Sequence, residues 1–216
     1  LSDEKIAAAL TYVRKTFANG AGGRIFLGID DWGVIDGGIR TDMKGGGTRA
    51  WLVAFFTFAV GLRDNVEHIP GGIALTAALV LLVGPLASVT GNELALRFGR
   101  ARVMTIGAAG SALLSCAFGF MASLPWIGLL LYAVVHMYLV GIDAGTLTAG
   151  LVTSAEPAHR GATMALFSML GFGAGFISPA VFGAVLDLAG GRGNALAWGL
   201  AFISLGVVAL LGVIPA

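Results

Sequence analysis

A lone carboxylate, Asp143, stands in a long apolar stretch that carries no other charge after Arg102. His136 lies two helical turns before it and Tyr132 a further turn back. At helical spacing the three fall within about a 40° sector, with Thr146 and Thr148 beyond them along the same helix. A carboxylate deep in hydrocarbon is costly unless it faces water, a partner or a proton. An imidazole titrates near neutral pH. Asp143, His136, Tyr132 and Thr146 therefore form a candidate substrate or proton pathway. A plainer arrangement uses the same residues: Asp143 touching a helix end in the headgroup region, and His136 as a hydrogen-bonded packing residue.

The second group is Gly91–Arg102, a short basic island between uncharged apolar runs. Upstream, no charged residue lies between Glu67 and Glu93; downstream, none lies between Arg102 and Asp143. Arg97, Arg100 and Arg102 mark a cytoplasmic turn, because Lys and Arg are biased to that side of a membrane. Glu93 and Arg97 stand at i,i+4 in the favourable order for a local ion pair. Elsewhere the chemistry is sparse. There is no nucleophile–base pair, metal-ligand spacing or phosphate loop, so neither an enzyme nor a bound metal or cofactor is expected. Cys116 is the single cysteine and reads as a buried thiol. No basic cluster combines with exposed aromatics, which excludes a nucleic-acid partner.

The elements that must carry these residues are membrane spans. The chain is 57% hydrophobic and 12% charged, about half the charge of a soluble domain. Six apolar runs are read as transmembrane helices: 50–62, 72–90, 103–122, 126–152, 161–186 and 195–213. The first is short, about 20 Å as a helix, and needs its flanks to span. Gly84-Pro85 predicts a kink in the second. Lys44, Arg49, Arg97, Arg100, Arg102 and Arg160 fall on one side of this arrangement, Arg63 and Arg192 on the other. That split places loop 91–102 in the cytoplasm. Trp51, Trp126 and Trp198 stand near span starts, as in an interfacial aromatic belt. Gly141/Gly145, Gly171/Gly175 and Gly107/Gly110 with Ser111 put small residues on single helix faces, where helices can approach closely.

Before the spans, Ser2 caps an amphipathic helix with Ile6, Leu10, Val13 and Phe17 on one stripe and Asn19-Gly20 as its stop. Residues 21–47, rich in Gly and Asp, read as a linker. The expected organisation is thus a helix over 1–20, a linker over 21–47 and a six-helix transmembrane domain over 48–216. The expected partners are the lipid bilayer and a small-molecule substrate.

Two resemblances follow. Leu-Ser-Asp-Glu-Lys-Ile-Ala-Ala-Ala-Leu-Thr-Tyr-Val-Arg, at the start of the chain, resembles the C-terminal helix of small class I c-type cytochromes, though no Cys-x-x-Cys-His is present to attach haem. Leu94, Ala95, Arg97, Gly99 and Arg100 resemble the cytoplasmic signature of the major facilitator superfamily; Leu96 stands where that signature has an acidic residue. Thr48–Phe55, Glu156–Gly161 and Gly183–Asp187 are similar to further stretches of its C-terminal half. The second resemblance implies an all-α fold, the six-helix C-terminal half of a secondary transporter. It also implies a proton-coupled exporter of a small molecule in a bacterial inner membrane, completed by a missing N-terminal half or a second copy. Glu93, Arg97, Gly99, Arg100 and Arg102 would then form a cytoplasmic gating loop. The alternatives are a membrane-anchored electron-transfer component related to cytochrome c, or a non-transporting membrane scaffold.

Overall fold

The computed structural model describes residues 29–63, 69, 71–154 and 160–210. Among these residues the order is α1 (Ile29–Gly61), α2 (Gly72–Leu81), α3 (Val83–Phe98), α4 (Arg100–Phe118), a 3₁₀ turn (Gly119–Ser123), α5 (Trp126–Ser154), α6 (Arg160–Leu188) and α7 (Ala195–Leu210). Gly72–Phe98, Arg100–Ser123, Trp126–Thr153 and Thr163–Leu188 are long and apolar enough to cross a bilayer, and Ala195–Ala209 is a shorter apolar helix. The chain has the build of an all-helical integral membrane protein. The cytochrome-like helix over 1–20, residues 155–159 and the end of the sixth span beyond Leu210 lie outside the described residues.

Two stretches differ from expectation. Residues 29–47, read as linker, are the first half of α1, a helix of 33 residues. The reason lies in one buried face. Thr41, Lys44 and Thr48 recur at helical spacing and run straight into Leu52, Phe55 and Ala59, all buried. Residues 91–102, read as a loop, are helical except at Gly99, whose φ of 89° and ψ of 134° end α3 and start α4. Ala95 and Val103 are buried with Ala87 and Ile142, so packing carries each helix up to that glycine. Only a residue without Cβ takes such a φ at little cost.

Prolines account for two other features. Leu82 interrupts the second span, three residues before Pro85. The Pro85 ring has no N–H and crowds the carbonyl of residue 81, which breaks the regular ladder there. Pro179 lies inside α6 and leaves the Gly175 carbonyl without its usual donor; the Ser178 hydroxyl points to it at 3.4 Å.

α1 packs chiefly on α6, α3 on α5, and α4 on α7. Exchanging helices α1–α4 for α5–α7 maps this pairing onto itself: α1 takes the place of α5, the α2–α3 rod that of α6, and α4 that of α7. The crossings are tight. A Cβ on Gly46 would stand 2.6 Å from the Gly175 carbonyl oxygen, and one on Gly145 would overlap the Ser88 backbone. Small residues let the helices meet backbone to backbone, where dispersion replaces the hydrophobic drive that lipid does not supply.

One end of the bundle is an aromatic plug. Phe55, Phe118, Phe182, Trp198 and Phe202 are fully buried there, in edge and tilted contacts 4.8–6.0 Å apart, such as Phe55–Phe118 and Phe118–Phe202. Trp198, expected at the membrane interface, belongs to this plug, and its indole donates to the Arg192 carbonyl. Arg63 closes the same end, its guanidinium donating to the carbonyls of Ala59, Ala122 and Leu124. At the other end lies the small apolar cluster around Ala95 and Val103. Buried polar side chains lie in the bundle core: Thr41, Lys44, Thr48, Ser111, Ser115, His136, Asp143, Thr146 and Ser178.

Candidate functional site

Asp143 projects from α5 into that polar core and is 4% exposed. The Thr41 hydroxyl of α1 donates to its Oδ2 at 2.6 Å. One turn along α1, the Lys44 ammonium stands 3.8 Å from the same oxygen and is 1% exposed. Lys44 also donates to the Ser111 hydroxyl of α4, which in turn donates to the Ala108 carbonyl at 3.1 Å. Three helices thus supply a carboxylate, an ammonium and two hydroxyls to one buried cluster. A buried charge pair is tolerated when further hydrogen bonds satisfy each member, and Thr41 and Ser111 fill that role.

His136 lies on the same side of α5, against α4. It is fully buried, its Nε2 is 2.8 Å from the Ser115 hydroxyl, and no described group reaches its Nδ1. Its ring packs against Phe118, with centroids 5.1 Å apart. Tyr132, a turn earlier, donates to the Leu114 carbonyl at 2.8 Å. Tyr132, His136 and Asp143 therefore share a stripe facing α4. The structure separates their partners: Tyr132 and His136 bond α4, whereas Asp143 bonds α1. Thr146 is buried but donates to the Ile142 carbonyl of its own helix at 2.9 Å, and Thr148 is exposed and donates to Ala144 at 3.0 Å.

The basic island holds together differently from the expected pair. Glu93 and Arg97 are both exposed, and no hydrogen bond or ion pair joins them among the described residues. Arg100 instead crosses to the end of α5, where its guanidinium donates to the Thr153 hydroxyl at 2.7 Å and its stem lies on Gly150. Arg102 is exposed. Lys44, counted above among the cytoplasmic cations, is inside the bundle.

A pocket of about 250 Å³ opens between α1, α5 and α6, lined by Gly38, Thr41, Asp42, Ala144, Leu147, Thr148, Met164, Phe167, Ser168 and Phe172. Thr41 belongs both to this wall and to the buried pair. Asp42 is wedged against Gly171 and Gly175 of α6, whose missing side chains make room for it. Arg49, two turns further along α1, is exposed.

Thr41, Asp42, Lys44 and Ser111 are the site residues missed in the sequence. The usable signal was Thr41, Lys44 and Thr48 at i, i+3 and i+7, in register with Leu52, Phe55 and Ala59. No family model, no curated protein and no solved structure matches the chain.

Proposed function

We propose that this chain moves a small molecule across a membrane as the six-helix C-terminal half of a major facilitator superfamily secondary transporter, coupled to protons through Asp143. The observation that carries this reading is the Lys44–Asp143 pair, a charge pair buried between helices of a membrane bundle. Ionisable groups at such depth are retained for ion or substrate pathways far more often than for stability. A proton arriving at Asp143 would cancel its attraction for Lys44 and loosen the link between α1 and α5. That is a two-state element biased by one proton.

Two further observations support it. The pairing of helices repeats when α1–α4 are exchanged for α5–α7, the layout of 3+3 inverted repeats in that superfamily. Arg49 is exposed two residues before Trp51, whose indole bonds the mid-helix carbonyl of Pro179 at 3.0 Å. A cation at that level needs water or protein beside it rather than lipid tails. The missing N-terminal half, or a second copy, would meet this face of α1. Arg97, Arg100 and Arg102 would keep the Gly99 end in the cytoplasm of a bacterial inner membrane.

The test begins with the genomic frame upstream, which should encode six further spans. That longer protein, in proteoliposomes holding a pH-sensitive dye, should exchange protons for a transported molecule, and Asp143→Asn should abolish the exchange. The 216-residue chain alone should stay silent. Robust transport by this chain as a monomer would sink the half-transporter reading, and full exchange by the Asp143→Asn protein would sink the coupling role.

A further inference from the structure

We infer that the pocket between α1, α5 and α6 binds a small organic cation, with Asp42 as its counter-charge and Phe167 and Phe172 as its aromatic walls. The inference deepens the transport reading, since it names the class of molecule moved, and it rests on that reading only for the fate of the occupant. Binding itself is separable.

The pocket wall has one carboxylate, two phenyl rings, a thioether from Met164 and hydroxyls from Thr41, Thr148 and Ser168. No described residue donates a hydrogen bond to Asp42 or stands within ion-pair distance of it. Among the described residues, only Arg49 of the protein's own cations acts on Asp42, electrostatically and from two turns along α1, without reaching it as a hydrogen-bond or ion-pair partner. Lys44 is taken by Asp143 and Ser111, and neither Arg40 nor Arg49 lines the pocket. A half-buried carboxylate that no cation touches favours a cation from outside.

The remaining lining decides which cation. A divalent metal ion asks for about six to eight oxygen ligands, or for a cluster of carboxylate and imidazole groups. Among the described residues no group of three or more His, Cys, Asp and Glu side chains gathers. An anion would meet Asp42 as a like charge. A neutral apolar molecule would leave the carboxylate desolvated and unpaired. An ammonium on a small aromatic body satisfies both parts of the wall: charge on Asp42, ring and N-methyl groups against Phe167 and Phe172. Phe167 is held in place for this, its ring edge lying on the bare backbone of Gly38. The volume of about 250 Å³ limits the occupant to roughly one ring with a short ammonium arm. Because Thr41 forms part of this wall and also bonds Asp143, an occupant drawing on Thr41 acts directly on the buried pair.

The test is calorimetric titration of the full purified chain in detergent with benzyltrimethylammonium and with its neutral isostere neopentylbenzene. The cation should bind about tenfold or more tightly than the isostere. Asp42→Asn should weaken cation binding about tenfold, Asp42→Glu should recover part of the loss, and Phe172→Ala should cost a few-fold. Equal affinity for the two compounds, no heat from the cation, or wild-type affinity in a folded Asp42→Asn chain would overturn the inference. Should Asp42→Asn fail to fold, the isostere comparison on the unaltered chain and the exposed Phe172→Ala variant decide the matter. Loss of binding with Asp143-dependent proton exchange intact would remove this site alone. Binding retained without exchange would remove the transport reading alone.

Discussion

Thr41 donates its hydroxyl to the Asp143 carboxylate at 2.6 Å across 102 positions of sequence, and so sets the level at which α1 meets α5. The Lys44 ammonium reaches the same oxygen from one turn further on. The contact is side chain to side chain and fully enclosed, so each member depends on the others to remain charged inside the bundle.

A mutant cycle separates that dependence from simple packing. Asp143→Asn and Lys44→Met should each lower stability by about 3–5 kcal/mol, because each leaves one buried charge unmatched. The double variant should recover most of the loss, since neither charge then remains. Thermal unfolding in a fixed detergent reads the outcome; additive losses would show that the two residues act independently.

The close helix crossings give a second expectation. Gly46→Ala and Gly145→Ala push a methyl into the Gly175 and Ser88 backbones and should cost about 1–3 kcal/mol each. Gly173 has nothing within 4 Å of a Cβ, and Gly173→Ala should be neutral or stabilising by up to about 1 kcal/mol. Equal melting temperatures for all three variants would contradict the crossings described above.

Sidedness is open to chemical labelling. In a Cys116→Ala background, Arg102→Cys and Gly193→Cys are both exposed positions at opposite ends of the bundle. A membrane-impermeant maleimide should reach residue 193 in intact cells and residue 102 only in inverted vesicles. Reaction of both from one side would break the alternation of the spans.

Asp143 and His136 were legible because their apolar surroundings isolate them; a single charge among aliphatic residues has few innocent explanations. The sequence also carried the four candidate spans between residues 72 and 188, where no competing signal intervenes. α1 was only half visible. Gly45-Gly46-Gly47 and the charges from Asp30 to Lys44 carry the signature of a water-exposed linker. In the bundle the same glycines have another use, since Gly46 and Gly47 admit α6 and α7 to the helix surface. Helix propensity measured in water penalises glycine for the entropy it loses, and it takes no account of a neighbouring helix that needs the space. Glu93 and Arg97 misled in the opposite way. Their spacing suits a local pair, but Arg100 is the arginine of this turn that reaches a partner on another helix.

Lys44 lies on α1 and Asp143 on α5, the two helices that the exchange of α1–α4 for α5–α7 carries into one another. The pair is therefore a rivet through the seam of a two-part object. Its chemistry belongs to neither part alone. A change of one proton there alters how the parts are held together without disturbing the inside of either.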